Sequence, residues 1–269
     1  MVRGLEQFRR YFLDYADRYV LIGGTACSVL LAEEGLDFRA TKDLDLVLVI
    51  EALDKEFSRA FWDYILLGKY KHRQQSSDRE VFYRFCDPED LSFPAMLELF
   101  SRVPDAIHIE EPCHLTPIPV EDEVLSLSAI LLDDGYYEWL MAGRRNINGL
   151  PIVDVGHIIP LKAKAWIDLR ARKLAGDRVD KRQVQKHKKD IIRLSQILSV
   201  QNQIFLPDPI RADMQFFLDR IAEEPEIPPK TLGIKHVSWK EILQLLHQVY
   251  GFSEMADNAV TILTTENPF

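Results

Sequence analysis

Apolar and polar positions alternate most sharply from Asp43 onward, where Asp43 and Asp45 interleave with Leu44, Leu46 and Leu48. Successive side chains of a strand point to opposite faces. The pattern therefore predicts a strand over about 43–50 with leucines on one face and both aspartates on the other. The continuous apolar run Tyr19-Val-Leu-Ile22 predicts a strand over about 19–23, Gly23-Gly24 a turn, and the next residues a helix over about 25–34 that ends at Gly35. Leu5, Phe8, Tyr11, Phe12 and Tyr15 recur at helical spacing and predict a helix over about 5–17. A second helix is expected over about 54–67, with short strands near 70–75, 79–85 and 95–102. The proline-rich stretch from Pro104 to Pro119 predicts edge strands and turns. Ser126–Leu132 and Tyr136–Met141 predict short helices. Beyond Asp154 the period is helical throughout, with helices expected over about 157–175, 181–199, 208–222 and 238–250. The chain thus reads as α+β, a mixed sheet with flanking helices in 1–154 and a mainly helical part in 155–269.

Composition narrows the class. The 269 residues are 47% hydrophobic, enough for a sizeable core, yet no apolar run approaches the roughly 18 residues that a membrane span needs. The charged, amphipathic N-terminus lacks the apolar centre of a signal peptide. Cys27, Cys86 and Cys113 match neither a zinc spacing nor a disulfide framework. These features predict a cytoplasmic protein with no membrane partner. A net charge of −9 argues against wholesale coating of nucleic acid. The charge is uneven, however: Lys162 to Arg193 holds twelve basic and four acidic residues, +8, which leaves −17 elsewhere. That basic module is either a solvated helical face or a local site for phosphates or an RNA end.

The chemistry concentrates in the first two predicted strands. Two carboxylates side by side at the mouth of an apolar strand repel each other and resist desolvation, and a divalent cation relieves both. Glycines admit a phosphate close to the backbone, and a helix N-terminus offers free N–H groups. Gly23 and Gly24 are therefore candidate phosphate contacts, and Thr25 either caps the helix or donates to a phosphate. Neither signal is specific alone, since Gly-Gly turns and Asp-Leu-Asp triplets are common. Glu98, within Met96-Leu-Glu-Leu-Phe100, adds a third acid to an apolar strand. It is either an outward-facing residue or a third ligand. The second reading is preferred, because three carboxylates on neighbouring strands form a two-metal cage. Asp43, Asp45 and Glu98 are accordingly the candidate catalytic and metal-binding residues. Arg39 and Thr41 either bind phosphate or order the loop before the strand. His157 and His187 show no metal spacing, and Tyr136, Tyr137 and Trp139 read as packing rather than a base-stacking platform.

Ile22-Gly-Gly24, Asp43-Leu-Asp-Leu46 and Leu97-Glu-Leu99 together resemble the signature of the DNA polymerase beta-like nucleotidyltransferase superfamily. Gly23-Gly-Thr-Ala26 with Arg39-Ala-Thr-Lys-Asp-Leu-Asp45 resembles its AbiEii/AbiGii branch, the nucleotidyltransferase toxins of abortive-infection and related toxin–antitoxin systems. Ile158 to Arg170 and Lys186 to Arg193 are similar to the branch's later lysine and aspartate motifs. The chain departs from the branch in having Asp190 without the second acid that usually follows it. The resemblance implies a nucleotidyltransferase-type sheet and transfer of an NMP from an NTP to a hydroxyl acceptor, a tRNA end or a protein. It implies Mg²⁺ as cofactor, with two metal positions and Mn²⁺ as a substitute, and a cognate antitoxin as partner. Lys162 is the implied triphosphate lysine, because it keeps the branch's spacing to Ala165. Lys164 is the runner-up, able instead to pair with Asp168 one helical turn on. Asp190 joins the nucleotide-binding set. Two alternatives stand beside this reading: a non-catalytic nucleotide-binding protein of the same fold, and a small-molecule nucleotidyltransferase of the aminoglycoside-modifying kind.

Overall fold

The computed structural model describes residues 2–49, 52–76, 81–102, 116–118, 130–131 and 133–252. Helix α1 (Leu5–Tyr11) gives way to a 3-10 turn, Leu13–Tyr15, instead of running on to residue 17. The tighter turn brings the rings of both Phe12 and Tyr15 against Phe57. Strand β1 (Tyr19–Leu21), helix α2 (Gly23–Glu33), strand β2 (Asp43–Leu48) and helix α3 (Lys55–Leu67) follow. Asp54 caps α3 by accepting from the Phe57 N–H at 2.8 Å. Strands β3 (Tyr70–Ser76), β4 (Val81–Pro88), β5 (Met96–Ser101) and β6 (Thr116–Ile118) come next. Beyond β6, the rest of the stretch expected as proline-rich turns, and most of Ser126–Leu132, lie outside the described residues.

After helix α4 (Asp134–Ala142), a hairpin of β7 (Arg144–Ile147) and β8 (Leu150–Val153) extends the sheet. The sequence reading had no strands here, although a signal existed. Asn148 and Gly149 both have positive φ, 51° and 85°, and an Asn-Gly pair between apolar runs is the strongest short hairpin signal. The described strands form one eight-stranded mixed sheet in the order β6-β3-β4-β5-β2-β1-β8-β7. Strand β2 runs antiparallel to β1 and parallel to β5. Its leucines face a cluster of rings from α1 and α3, in which Phe12 lies near Phe8, Tyr19, Phe61 and Tyr64.

The remaining described helices are α5 (Val155–Leu174), α6 (Lys181–Leu194), α7 (Asp208–Glu223) and α8 (Trp239–Val249). Pro160 lies inside α5 and has no N–H to give to the Gly156 carbonyl one turn earlier. The buried Tyr250 hydroxyl takes that carbonyl at 2.9 Å and ties the end of α8 to the start of α5. One hydrophobic core runs from Val2 through the sheet to Tyr250. Among the described residues the last strand ends at Val153, and the elements after it are helical.

Candidate active site

The parallel register of β2 and β5 sets Asp43 opposite Met96 and Asp45 opposite Glu98. On the next strand, Arg84 of β4 lies opposite Glu98. Above this row, Gly23 and Gly24 form the start of α2 itself, where a separate turn was expected. Gly23 has a φ of 64°, and a side chain there would collide with the Asp45 carboxylate. A Cβ on Gly24 would come within 2.6 Å of the Thr41 hydroxyl oxygen. Thr41 thus packs its loop against the helix start. The Thr25 hydroxyl, fully buried, donates to the Asp43 carbonyl at 2.6 Å and makes no cap. It ties α2 to β2, in place of the expected cap or phosphate contact.

Asp43, Asp45, Glu98 and Arg84 border a cleft of about 180 Å³ between the sheet and α5. Ile158, Leu161, Lys162 and Ala165 border it from α5, and Lys186 from α6. Glu98 is only 8% exposed. Arg84 donates from Nε to its Oε1 at 2.8 Å, and Nη2 stands 2.8 Å from the same oxygen. Burial, and after it the charge of Asp45, push the Glu98 carboxyl well above the ordinary carboxylate range, with Arg84 opposing.

The donor chemistry suits a hard divalent cation: three carboxylates on adjacent strands, facing one side. Asp45 and Glu98 are in side-chain contact across the two strands, and the charge of Asp45 raises the Glu98 carboxyl. Among the described residues no group of three or more His, Cys, Asp and Glu side chains stands ready to hold a metal ion. Binding one requires Asp43, Asp45 and Glu98 to turn toward a common point.

Beside the cleft lies a buried ion cluster. Asp190 is 0% exposed. The Arg39 guanidinium spans it, Nε to Oδ1 and Nη2 to Oδ2, both at 2.9 Å. Lys162 Nζ adds 3.1 Å to Oδ2, and Arg193 stands 3.7 Å from Oδ1. Burial alone would raise the Asp190 carboxyl, yet Lys162 and Arg39 hold it well below the usual range. Asp190, expected to touch the nucleotide, is instead a counter-ion that fixes two cations. Lys164 was a second candidate for the triphosphate. It is held between Asp168 at 3.6 Å and Asp213 at 3.2 Å, and does not border the cleft. A second groove, of about 580 Å³, adjoins the first through Lys186 and is bordered by Arg39, Lys181, Arg182, Lys189 and Arg193.

The fold therefore brings Gly23, Gly24, Asp43, Asp45, Glu98 and Lys162 to one cleft, and Arg39 to its edge. Arg84 and Lys186 escaped the sequence reading. Arg84 had a signal, a lone charge in the apolar Phe82-Tyr-Arg-Phe85 that matches the lone Glu98 of a neighbouring strand. The aromatic set packs helices as preferred: the Tyr136 hydroxyl donates to Asp213 at 2.8 Å and Trp139 Nε1 to the His157 carbonyl at 3.0 Å. No helix among the described residues is long and apolar enough to cross a membrane.

No protein-family model matches the chain, and no curated protein matches it either. The structure is similar to the Megavirus polyadenylate synthase with a TM-score of 0.38 and 11% identity, covering 82% of this chain. The chain spans only 36% of that protein's length. A candidate nucleotidyltransferase from H. pylori gives a TM-score of 0.34 and 16% identity, with 90% of this chain and 89% of that one covered. The Helicobacter pylori protein JHP933 gives 0.31 and 13%, with 96% and 95% covered. At these scores none of the likenesses decides this chain's chemistry, which rests on the site itself.

Proposed function

We propose that this protein is a Mg²⁺-dependent nucleotidyltransferase that moves an NMP from an NTP to a hydroxyl acceptor and releases pyrophosphate. The reading rests on one observation, the cross-strand pairing of Asp45 with Glu98 beside Asp43, directly under the glycine start of α2. Asp43 and Asp45 would hold the cation, with Glu98 at a second position. Mg²⁺, or Mn²⁺ in its place, supplies neutralising charge for the triphosphate and for the acceptor oxygen. The acceptor oxygen would attack the α-phosphorus in line with pyrophosphate leaving, and Glu98 is the side chain placed to help take the acceptor's proton. Free N–H groups at the start of α2 receive phosphate oxygens. Lys162 and Arg39, oriented by Asp190, add positive charge where pyrophosphate departs. The cleft is smaller than typical ligand pockets of roughly 300–1,000 Å³, so it suits the metal and phosphate end of a nucleotide.

A tRNA end or a protein hydroxyl is the proposed acceptor, and the resemblance to the AbiEii/AbiGii branch supports a toxin role with a cognate antitoxin in the cytoplasm. Incubation with each α-labelled NTP, Mg²⁺, bulk tRNA and cell protein is expected to label one acceptor class. Label that survives the double change Asp43→Ala and Asp45→Ala would move the active site elsewhere.

A further inference from the structure

We propose that the groove along α6 holds the sugar–phosphate backbone of a nucleic-acid strand and leads it past the mouth of the cleft. The inference deepens the transfer reading above by choosing a nucleic acid as acceptor, and it has a binding test of its own. Arg182, Lys186, Lys189 and Arg193 follow one another at steps of four, three and four residues, so they form one stripe along α6. From Arg182 to Arg193 the helix rises about 16 Å. Lys181 stands beside the start of the stripe, and Arg39 joins it from the loop before β2. All six border the groove of about 580 Å³. The opposite side of α6 buries Val184, Ile191 and Leu194, which fixes the stripe toward the groove.

The arrangement differs from that of a solvated helical face. On two other helices the cations meet an acid one turn away: Arg9 and Arg10 meet Glu6 on α1, and Arg220 meets Glu223 on α7. On α6 the neighbours one turn apart in the stripe carry the same sign, which disfavours the helix. Its first turn holds Lys181 and Arg182 and no acid, although the positive end of the helix dipole favours an acid there. The two acids that border the groove are already engaged. The Asp180 side chain accepts from the Arg182 N–H at 2.8 Å, and Asp190 is buried between Arg39 and Lys162. Lys181, Arg182 and Lys189 are exposed and form no ion pair with a described residue.

A polyanion relieves the repulsion within such a stripe, and a phosphodiester backbone carries its charges in a regular row. No aromatic side chain is among the described residues that border the groove, so it offers contacts to phosphates and no platform for bases. The groove meets the cleft at two points. Lys186 borders both, and the single Asp190 carboxylate binds Arg39 of the groove and Lys162 of the cleft. A strand held along α6 therefore brings its terminal hydroxyl within reach of the cleft.

The test is fluorescence anisotropy of labelled single strands of RNA and DNA, without NTP or Mg²⁺, on wild type and two triple variants that lose the same charge. One carries Lys181→Gln, Arg182→Gln and Lys189→Gln. The other removes three exposed cations in or next to α1 and α3, by Arg10→Gln, Lys55→Gln and Lys69→Gln. The groove variant is expected to bind about tenfold or more weakly at about 0.1 M salt. Its plot of log affinity against log salt should flatten by about 2, since each phosphate of a single strand contributes about 0.7. The second variant should stay within about twofold of wild type. RNA, DNA and permuted sequences should bind alike, because all share the phosphates. The groove variant should melt no lower than wild type, because like charges have been removed. Equal losses in the two variants would mean attraction to net charge alone, and would overturn the proposal. A clearly lower melting temperature of the groove variant would overturn it too, by making the stripe a support for the fold. A strong preference for one sequence or one sugar, or equally tight binding of a poly-glutamate of matched charge, also overturns it. Wild type that binds no strand overturns the proposal and leaves the transfer reading standing, whereas strand binding with no NMP transfer to any acceptor does the reverse.

Discussion

The two faces of the central sheet obey opposite rules. On one, the leucines of β2 meet the rings of α1 and α3, and buried apolar side chains pack closely. On the other, charged side chains sit beneath α5 and α6, held in short chains of opposite sign: Asp45, Glu98 and Arg84 in one, and Arg39, Asp190 and Lys162 in the other. The apolar face gains stability from every contact. The charged face sets like charges together at Asp45 and Glu98, which disfavours the folded state and prepares a site for a cation. Stability and chemistry are thus separated by the strand's two-residue period.

The sharpest way to test that separation is to damage each face and read both stability and activity. Phe12→Ala should lower stability by about 3–5 kcal/mol, measured by urea unfolding, because Phe12 is fully buried among seven rings. Turnover of the protein that remains folded should hardly change. Asp45→Asn should do the reverse, reducing turnover by about 10²–10³-fold. It should leave the melting temperature unchanged or raised, because it relieves the repulsion against Glu98.

Asp190→Asn belongs to the charged face yet should behave like a core change, costing about 3 kcal/mol because Arg39 and Lys162 lose their buried partner. The pH dependence supplies the check. The folded-state Asp190 carboxyl titrates below its unfolded value, so its contribution is complete above about pH 4 and is lost as pH falls through the folded value. Wild type should therefore lose its advantage over Asp190→Asn in acid-unfolding curves below about pH 4. A constant gap across that range would mean that Asp190 acts by shape and not by charge. The smallest effect expected is for Tyr250→Phe, about 1 kcal/mol by thermal unfolding, from the one hydrogen bond to the Gly156 carbonyl.

Much of the fold was legible because its elements repeat strongly. The leucine–aspartate alternation of β2 and the long helices beyond Asp154 stand close to where the periods put them. The β7–β8 hairpin was missed because its strands are only four residues each, too short to show a period, and the Asn148-Gly149 signal went unused. At the site, Asp43, Asp45 and Glu98 could be picked out because a carboxylate between leucines breaks a local pattern. Thr25, Lys164 and Asp190 could not be assigned the same way. Each is polar for a reason that lies elsewhere in the chain: the Asp43 carbonyl, Asp213 of α7, and Arg39, 151 residues before Asp190.

The sequence by itself determined which way the side chains of β2 point, because a strand sends alternate residues to opposite faces whatever surrounds it. It determined equally that a helix follows β1 and that the chain beyond Asp154 is mainly helical. Only the tertiary structure decided which charges meet. The parallel register of β2 with β5 set Glu98 beside Asp45, and the antiparallel register with β4 set Arg84 on its other side. Register depends on how whole strands pair, and a shift by one residue would send Glu98 to the leucine face.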